Sequence, residues 1–129
     1  MGEGRVKQNG VRVLVVDDDA DSREAIAQVL EQQGYTAARA ENGKAALDHL
    51  EAGFDADLVL TDLLMPVMSG WELHAAMKAR LAWASIPFVV LAGMTPEQRG
   101  QLNVEDSFEK PTDLPVLLKR IAELCGLSG

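Results

Sequence analysis

Short apolar runs alternate with longer stretches of helical spacing along almost the whole chain. Val11 to Val16 (VRVLVV) is compact, rich in β-branched residues and followed at once by polar positions, as a buried strand would be. Ser22, Ile26, Val29, Leu30 and Gln33 then recur at helical spacing up to Gly34, a natural C-terminal cap. Thr36 to Ala40 reads as a weaker strand, and Asn42-Gly43 opens a second helix that carries Ala46, Leu47 and Leu50 on one face and ends near Gly53. Leu58 to Thr61 (LVLT) is a third buried strand. After a loop from Met65-Pro66 to Ser69-Gly70, the stretch Trp71 to Leu81 predicts a helix through Leu73, Ala76, Met77 and Leu81. Pro87 to Ala92 predicts a fourth strand and Ser107 to Glu109 a short fifth. Between them the polar segment Thr95 to Leu102 has room for about two helical turns. From Thr112 onward, Leu114, Leu117, Leu118, Ile121 and Cys125 mark an amphipathic last helix.

Strands alternating with helices imply an α/β fold, a doubly wound parallel sheet, because right-handed crossovers place successive helices on its faces. The chain of 129 residues suits one such domain, with residues 1 to 10 as a flexible lead. It shows no internal repeat and no low-complexity linker.

Within that frame the acidic residues fall in a telling place. Asp17 and Asp18 directly follow the first strand, Asp62 directly follows the third, and Lys110-Pro111 follows the fifth. In open α/β sheets the binding crevice lies beyond the carboxyl ends of the strands, where strand order reverses. Two unit charges about 4 Å apart interact by about 4 kcal/mol at an effective dielectric of 20, so three carboxylates sharing one crevice resist ionising together. A divalent cation resolves the conflict. Few, hard oxygen ligands favour Mg²⁺ or Mn²⁺ completed by water and phosphate over a caged Ca²⁺. One carboxylate is then placed to act as a nucleophile toward a phosphoryl group, with Lys110 pairing its oxygens as a compact positive charge. The competing reading is helix capping, which suits Asp19 and Asp21 and remains an alternative for Asp17 and Asp18.

Composition narrows the partners. Apolar residues make up 47% and charged residues 25%, as in ordinary soluble domains, and the formal charge is −8 with no basic cluster. Neither nucleic acid nor an anionic membrane surface suits that balance. Cys125 is the only cysteine, which excludes an internal disulfide, and its helical spacing makes it a small core residue. The longest apolar stretch, Ile86 to Met94, is too short for membrane insertion, and the N-terminus has no secretory pattern, so a cytoplasmic location is expected.

The stretches VLVVDD ending at Asp18, LVLTDLLMPVMSGWEL around Asp62, the strand after Pro87, and Lys110-Pro111 together resemble the response-regulator receiver domain of two-component signalling. The resemblance covers nearly the whole chain and places the receiver at residues 11 to 126, with 127 to 129 as a tail. It implies five parallel strands in the order 2-1-3-4-5 with helices on both faces, the fourth helix being short here. It further implies Asp62 as phosphoacceptor, Mg²⁺ (or Mn²⁺) held by Asp17, Asp18, Asp62 and the backbone carbonyl of Leu64, and Lys110 as the phosphoryl-binding cation, with a cis peptide to Pro111. The implied partners are a histidine kinase or phosphotransfer protein and an output partner or attached domain whose identity the sequence does not carry. Such a domain is a phosphoacceptor rather than an enzyme acting on an outside substrate.

Two positions depart from the family pattern. The end of strand four carries Ala92 where a Thr or Ser hydroxyl is usual, and Ser107 replaces the usual aromatic residue three positions before the lysine. A hydrogen bond to a charged group contributes about 1.5–3 kcal/mol, so loss of the hydroxyl weakens an active state tenfold or more while leaving phosphorylation chemistry possible. Thr95 is a candidate substitute hydroxyl. A phosphate-independent docking module therefore stands as an alternative. A haloacid-dehalogenase-type phosphatase, suggested by Asp17-x-Asp19 after a first strand, is a more remote one, since it leaves Asp62-x-x-Met65-Pro66 without a role. The spacing Asp17-x-Asp19-x-Asp21 lacks the Gly and Glu of a calcium loop, and no glycine-rich P-loop is present. His49 and His74 read as solvated helix positions, and Trp71 and Trp83 as packing anchors.

Overall fold

The computed structural model describes residues 9–92, 95–102, 104–108 and 113–127. Residues 1–8 of the expected lead and 128–129 of the expected tail lie outside them. Ten elements alternate in chain order: β1 (Arg12–Val16), α1 (Ala20–Gln32), β2 (Thr36–Ala40), α2 (Gly43–Glu51), β3 (Leu58–Thr61), α3 (Gly70–Lys78), β4 (Phe88–Val90), α4 (Pro96–Leu102), β5 (Asp106–Ser107) and α5 (Leu114–Leu124). The strands form one sheet in the order β2-β1-β3-β4-β5. Every pairing is parallel. The doubly wound topology expected from the alternation is therefore the one observed.

Alternation along the central strands divides the core between the two faces of the sheet. Val13, Val15, Leu58, Leu60, Val89 and Leu91 pack with Ile26, Ala27 and Leu30 of α1 and Leu117 and Ile121 of α5. Leu14, Val16, Val59, Phe88 and Val90 face the other way, onto Ala46 and Leu50 of α2 and Leu73 and Met77 of α3. Each aliphatic side chain fully buried in this way contributes about 1.5–3 kcal/mol, which is why two-sided burial gives the strands continuous apolar runs. Cys125 packs at the edge of the α1/α5 core, and burial pushes its thiol up to about 11, the behaviour of a core residue rather than a nucleophile.

The helix starts are built from side chains. Asp19 accepts the Ser22 N–H at 3.1 Å and Asn42 accepts that of Ala45 at 2.8 Å. Ser69 and Glu72 exchange side-chain and backbone bonds in a capping box at α3. Gly34, at φ +94°, closes α1 as its position suggested.

Several boundaries differ from expectation. The helix expected to reach Leu81 ends at Lys78, and Leu81 is 98% exposed. Trp83 takes the buried place instead, with the Arg80 guanidinium 4.0 Å from its ring centroid, while Lys78 Nζ donates to the Ala84 carbonyl and ties off the turn. Periodicity alone did not reveal that the chain turns before Leu81. Strand β4 occupies only Phe88–Val90, and β5 begins one residue earlier than expected. Glu105 accounts for part of this: its N–H donates to the Phe88 carbonyl and its carboxylate accepts the Phe88 N–H, so a side chain completes the pairing at this edge.

The two histidines are not simply solvated. His74 is 7% exposed and meets the Phe88 ring edge-on at a centroid distance of 4.8 Å. A ring nitrogen of His49 is 2.9 Å from the Arg39 carbonyl. In both cases the imidazole sits on the α2/α3 face of the sheet, where a helical position next to the apolar stripe is drawn inward.

Candidate functional site

Register brings the acidic residues together. Val16 at the end of β1 is paired with Thr61 at the end of β3, so Asp17 and Asp62, the next residue of each strand, leave the sheet side by side. The Asp62 N–H donates to the Val16 carbonyl at 2.9 Å and the Asp17 N–H to the Ala40 carbonyl at 3.0 Å, so both backbones remain tied to the sheet at this rim. β1 lies between β2 and β3 and chain order reverses there, which makes this rim the topological switch point.

Carboxylate oxygens of Asp17, Asp18 and Asp62 all lie within 4.8 Å of one another. Asp17 is fully buried, Asp62 half-buried and Asp18 exposed, which gives the cluster a closed floor and an open mouth. Asp17 Oδ1 accepts the Asp19 N–H at 3.0 Å, and Arg23 donates to the Asp17 carbonyl at 2.9 Å from the first turns of α1. Asp62 Oδ1 accepts the N–H of Leu63 at 2.8 Å. Capping of α1 falls to Asp19, and Asp21 lies in the same first turn, so Asp17 and Asp18 are not the cap.

The other expected site residues are distributed as follows. Leu64 lies on the loop just after Asp62 with its side chain 78% exposed. Ala92 follows β4 and packs half-buried against the α2/α3 core. Ser107 pairs with Val90 in β5, and its N–H is taken by Asp106 Oδ1 at 2.8 Å. Lys110 and Pro111 lie outside the described residues. Thr95 caps α4: its hydroxyl oxygen accepts the Gln98 N–H at 3.1 Å, and its own N–H donates to the Gln98 side chain.

Sequence reasoning missed two residues that shape the site. Gly70 brings the start of α3 so near the Asp62 carbonyl that a Cβ there would overlap it. Thr61 is fully buried and donates its hydroxyl to that same carbonyl at 2.8 Å. A glycine after Ser69 reads as a loop residue and a threonine ending a strand as β propensity, so neither signals its contact.

Three hard carboxylate oxygens converging at a half-open rim are a donor set that fits Mg²⁺ or Mn²⁺. Comparison with known proteins places the chain in a family. The sequence model of the response regulator receiver domain matches residues 13–122, and the chain belongs to that family. It is 28% identical over 127 residues to the transcriptional regulatory protein TcrA of Mycobacterium tuberculosis, covering 95% of this chain and 50% of that protein. It is 32% identical over 118 residues to the response regulator RR06 of Streptococcus pneumoniae, covering 88% of this chain and 52% of that one. The chain thus spans about half the length of both relatives. Among solved structures, the receiver domain of a signal transduction histidine kinase from Syntrophus aciditrophicus superposes with a TM-score of 0.83 at 26% identity, covering 91% of each chain. This is a receiver domain of two-component signalling. No helix among the described residues is long and apolar enough to cross a membrane.

Proposed function

We propose that this receiver accepts a phosphoryl group on Asp62, with a Mg²⁺ (or Mn²⁺) ion held by Asp17, Asp18, Asp62 and the Leu64 backbone carbonyl. The observation that carries the reading is the convergence of the three carboxylates at the β1/β3 switch point. When bound, the cation offsets their mutual repulsion and the negative charge of the phosphoryl oxygens. Asp62 is the nucleophile because it alone of the three follows the central strand β3 and stands half-open to an incoming donor. A carboxylate oxygen of Asp62 bonds to the phosphorus of a phosphohistidine as the P–N bond breaks, and the imidazole leaves with the electron pair. Water attack on the same phosphorus later restores the carboxylate and releases inorganic phosphate. Lys110 supplies the point charge that holds the phosphoryl oxygens.

The donor is a histidine kinase or a phosphotransfer protein, and the setting is cytoplasmic. The domain acts on its own aspartate rather than on an outside substrate. The regulatory names of its relatives support an output function in a partner or attached domain. The signal leaves the site without the usual hydroxyl and aromatic pair, since Ala92 and Ser107 occupy those positions and Thr95 is engaged in capping α4. Those substitutions also favour a second reading, a docking module indifferent to phosphate.

Incubation with a small-molecule phosphodonor, followed by intact-protein mass spectrometry, separates the two. The proposal expects one phosphoryl adduct that forms with Mg²⁺ and not with chelator. Folded protein that neither binds Mg²⁺ nor takes up phosphate would favour the docking module. Partner binding before and after phosphorylation, in wild type and Ala92→Thr, then tests the coupling: a full-sized switch in wild type that the variant does not enlarge would contradict weakened coupling.

A further inference from the structure

We propose that Thr61 is a positioning residue for the Asp62 nucleophile, acting through the peptide that joins Asp62 to Leu63; the inference rests on Asp62 being the phosphoacceptor. Strand β3 is buried at all four positions, and three of them are aliphatic. A hydroxyl in such a place is costly unless bonded, and Thr61, fully buried, donates to the Asp62 carbonyl oxygen at 2.8 Å. The N–H of that same peptide, on Leu63, donates to Asp62 Oδ1 at 2.8 Å. One peptide plane is therefore gripped at its oxygen by Thr61 while its hydrogen is aimed at the reacting carboxylate.

The grip is firm because Thr61 is itself fixed. Its carbonyl accepts the Leu91 N–H at 2.8 Å, and it is in register with Val16 on one side and Val90 on the other. Gly70 closes on the Asp62 carbonyl, so the peptide is hemmed in where a side chain would not fit. Hydrogen bonds in series polarise one another, so donation into the carbonyl strengthens the N–H that reaches the carboxylate. The hydroxyl thus sets both the direction and the strength of the Leu63 bond. Valine copies the shape of threonine and cannot donate, whereas serine keeps the donor and loses only a methyl group.

The test compares wild type, Thr61→Val and Thr61→Ser, each shown to be folded by circular dichroism. Two readouts are taken: the rate of phosphoryl adduct formation from a small phosphodonor with Mg²⁺, and the amide resonance of Leu63 by NMR. Misplacing a reacting group costs large factors in rate, so Thr61→Val is expected to slow adduct formation roughly tenfold or more, with Thr61→Ser close to wild type. The Leu63 amide should move upfield in the valine variant and stay in place in the serine variant. Equal rates in wild type and Thr61→Val, or equal losses in both variants, would overturn the role of Thr61 while leaving Asp62 as acceptor. A wild type that takes no phosphate, although the Leu63 amide moves upfield in Thr61→Val and not in Thr61→Ser, would instead overturn the phosphoacceptor reading, and the positioning role with it.

Discussion

Gly70, the first residue of α3, lies against the backbone of Asp62: a Cβ on Gly70 would overlap the Asp62 carbonyl oxygen and come within 3.0 Å of Leu63 Cα. The neighbour is backbone at the end of a central strand, so it has little room to yield. Gly70→Ala should lower stability by about 1–3 kcal/mol, the usual cost of overpacking, and should slow any chemistry at Asp62. Urea unfolding of the variant checks the first expectation, and a variant as stable as wild type would show that α3 can shift away.

Val67 sits at φ +69° within the loop that carries the site, and the Met68 N–H closes back on the Pro66 carbonyl at 2.8 Å in a tight γ-turn. A β-branched residue is strained in that conformation, and Val67 is 79% exposed, so its side chain contributes little in return. Val67→Gly removes the Cβ that strains this turn and should raise stability by up to about 1 kcal/mol. Thermal melts of the two proteins decide the sign.

Burial holds the His74 imidazole below its usual 6.5, with the nearby charge of Lys78 adding to the effect and Glu105 opposing it. Its Nε2 has no hydrogen-bond partner among the described residues. The unfolded chain therefore takes up a proton near pH 6.5 that the folded one refuses until lower pH. Stability is fully present above 6.5 and declines as pH falls below it. His74→Phe keeps a ring against Phe88 and removes the titration. Denaturant midpoints measured on both sides of pH 6.5 should fall more in wild type than in the variant, and equal losses would place the acid sensitivity elsewhere.

A cation that binds the folded cluster and not the unfolded chain stabilises the fold by mass action, by about 2.7 kcal/mol at a hundred times the dissociation constant. Mg²⁺ should therefore raise the melting temperature of wild type, chelator should reverse the gain, and Asp18→Asn should require more Mg²⁺ for the same effect. Calorimetric scans across a Mg²⁺ series provide the measurement, and a melting temperature indifferent to Mg²⁺ would contradict the ligand set.

Most of the fold was legible because the central strands are buried on both faces and read as short, mostly apolar, β-branched-rich runs, as in LVLT and VRVLVV. The acidic cluster was legible for a related reason: parallel strands deliver whatever follows them to one rim, and Asp17 and Asp62 stand directly after paired strands. What did not show depends on contacts across space. Leu81 fits a helical period, yet the turn built on Trp83 and Arg80 leaves it in solvent. His74 is polar by composition and buried by its place beside Phe88. Thr61 and Gly70 both bear on the Asp62 carbonyl, a relationship that no spacing encodes.

Whether Asp62 carries the phosphoryl group is measured directly by mass spectrometry of wild type beside Asp62→Asn, with Mg²⁺ and a small phosphodonor, while tryptophan fluorescence is recorded in parallel. Trp71, in the first turn of α3 next to the site loop, is placed to report a change there. A single Mg²⁺-dependent adduct is expected on wild type, mapped to the peptide containing Asp62 and absent from the variant. An adduct of equal yield on folded Asp62→Asn, or none on folded wild type, would contradict Asp62 as the phosphoacceptor.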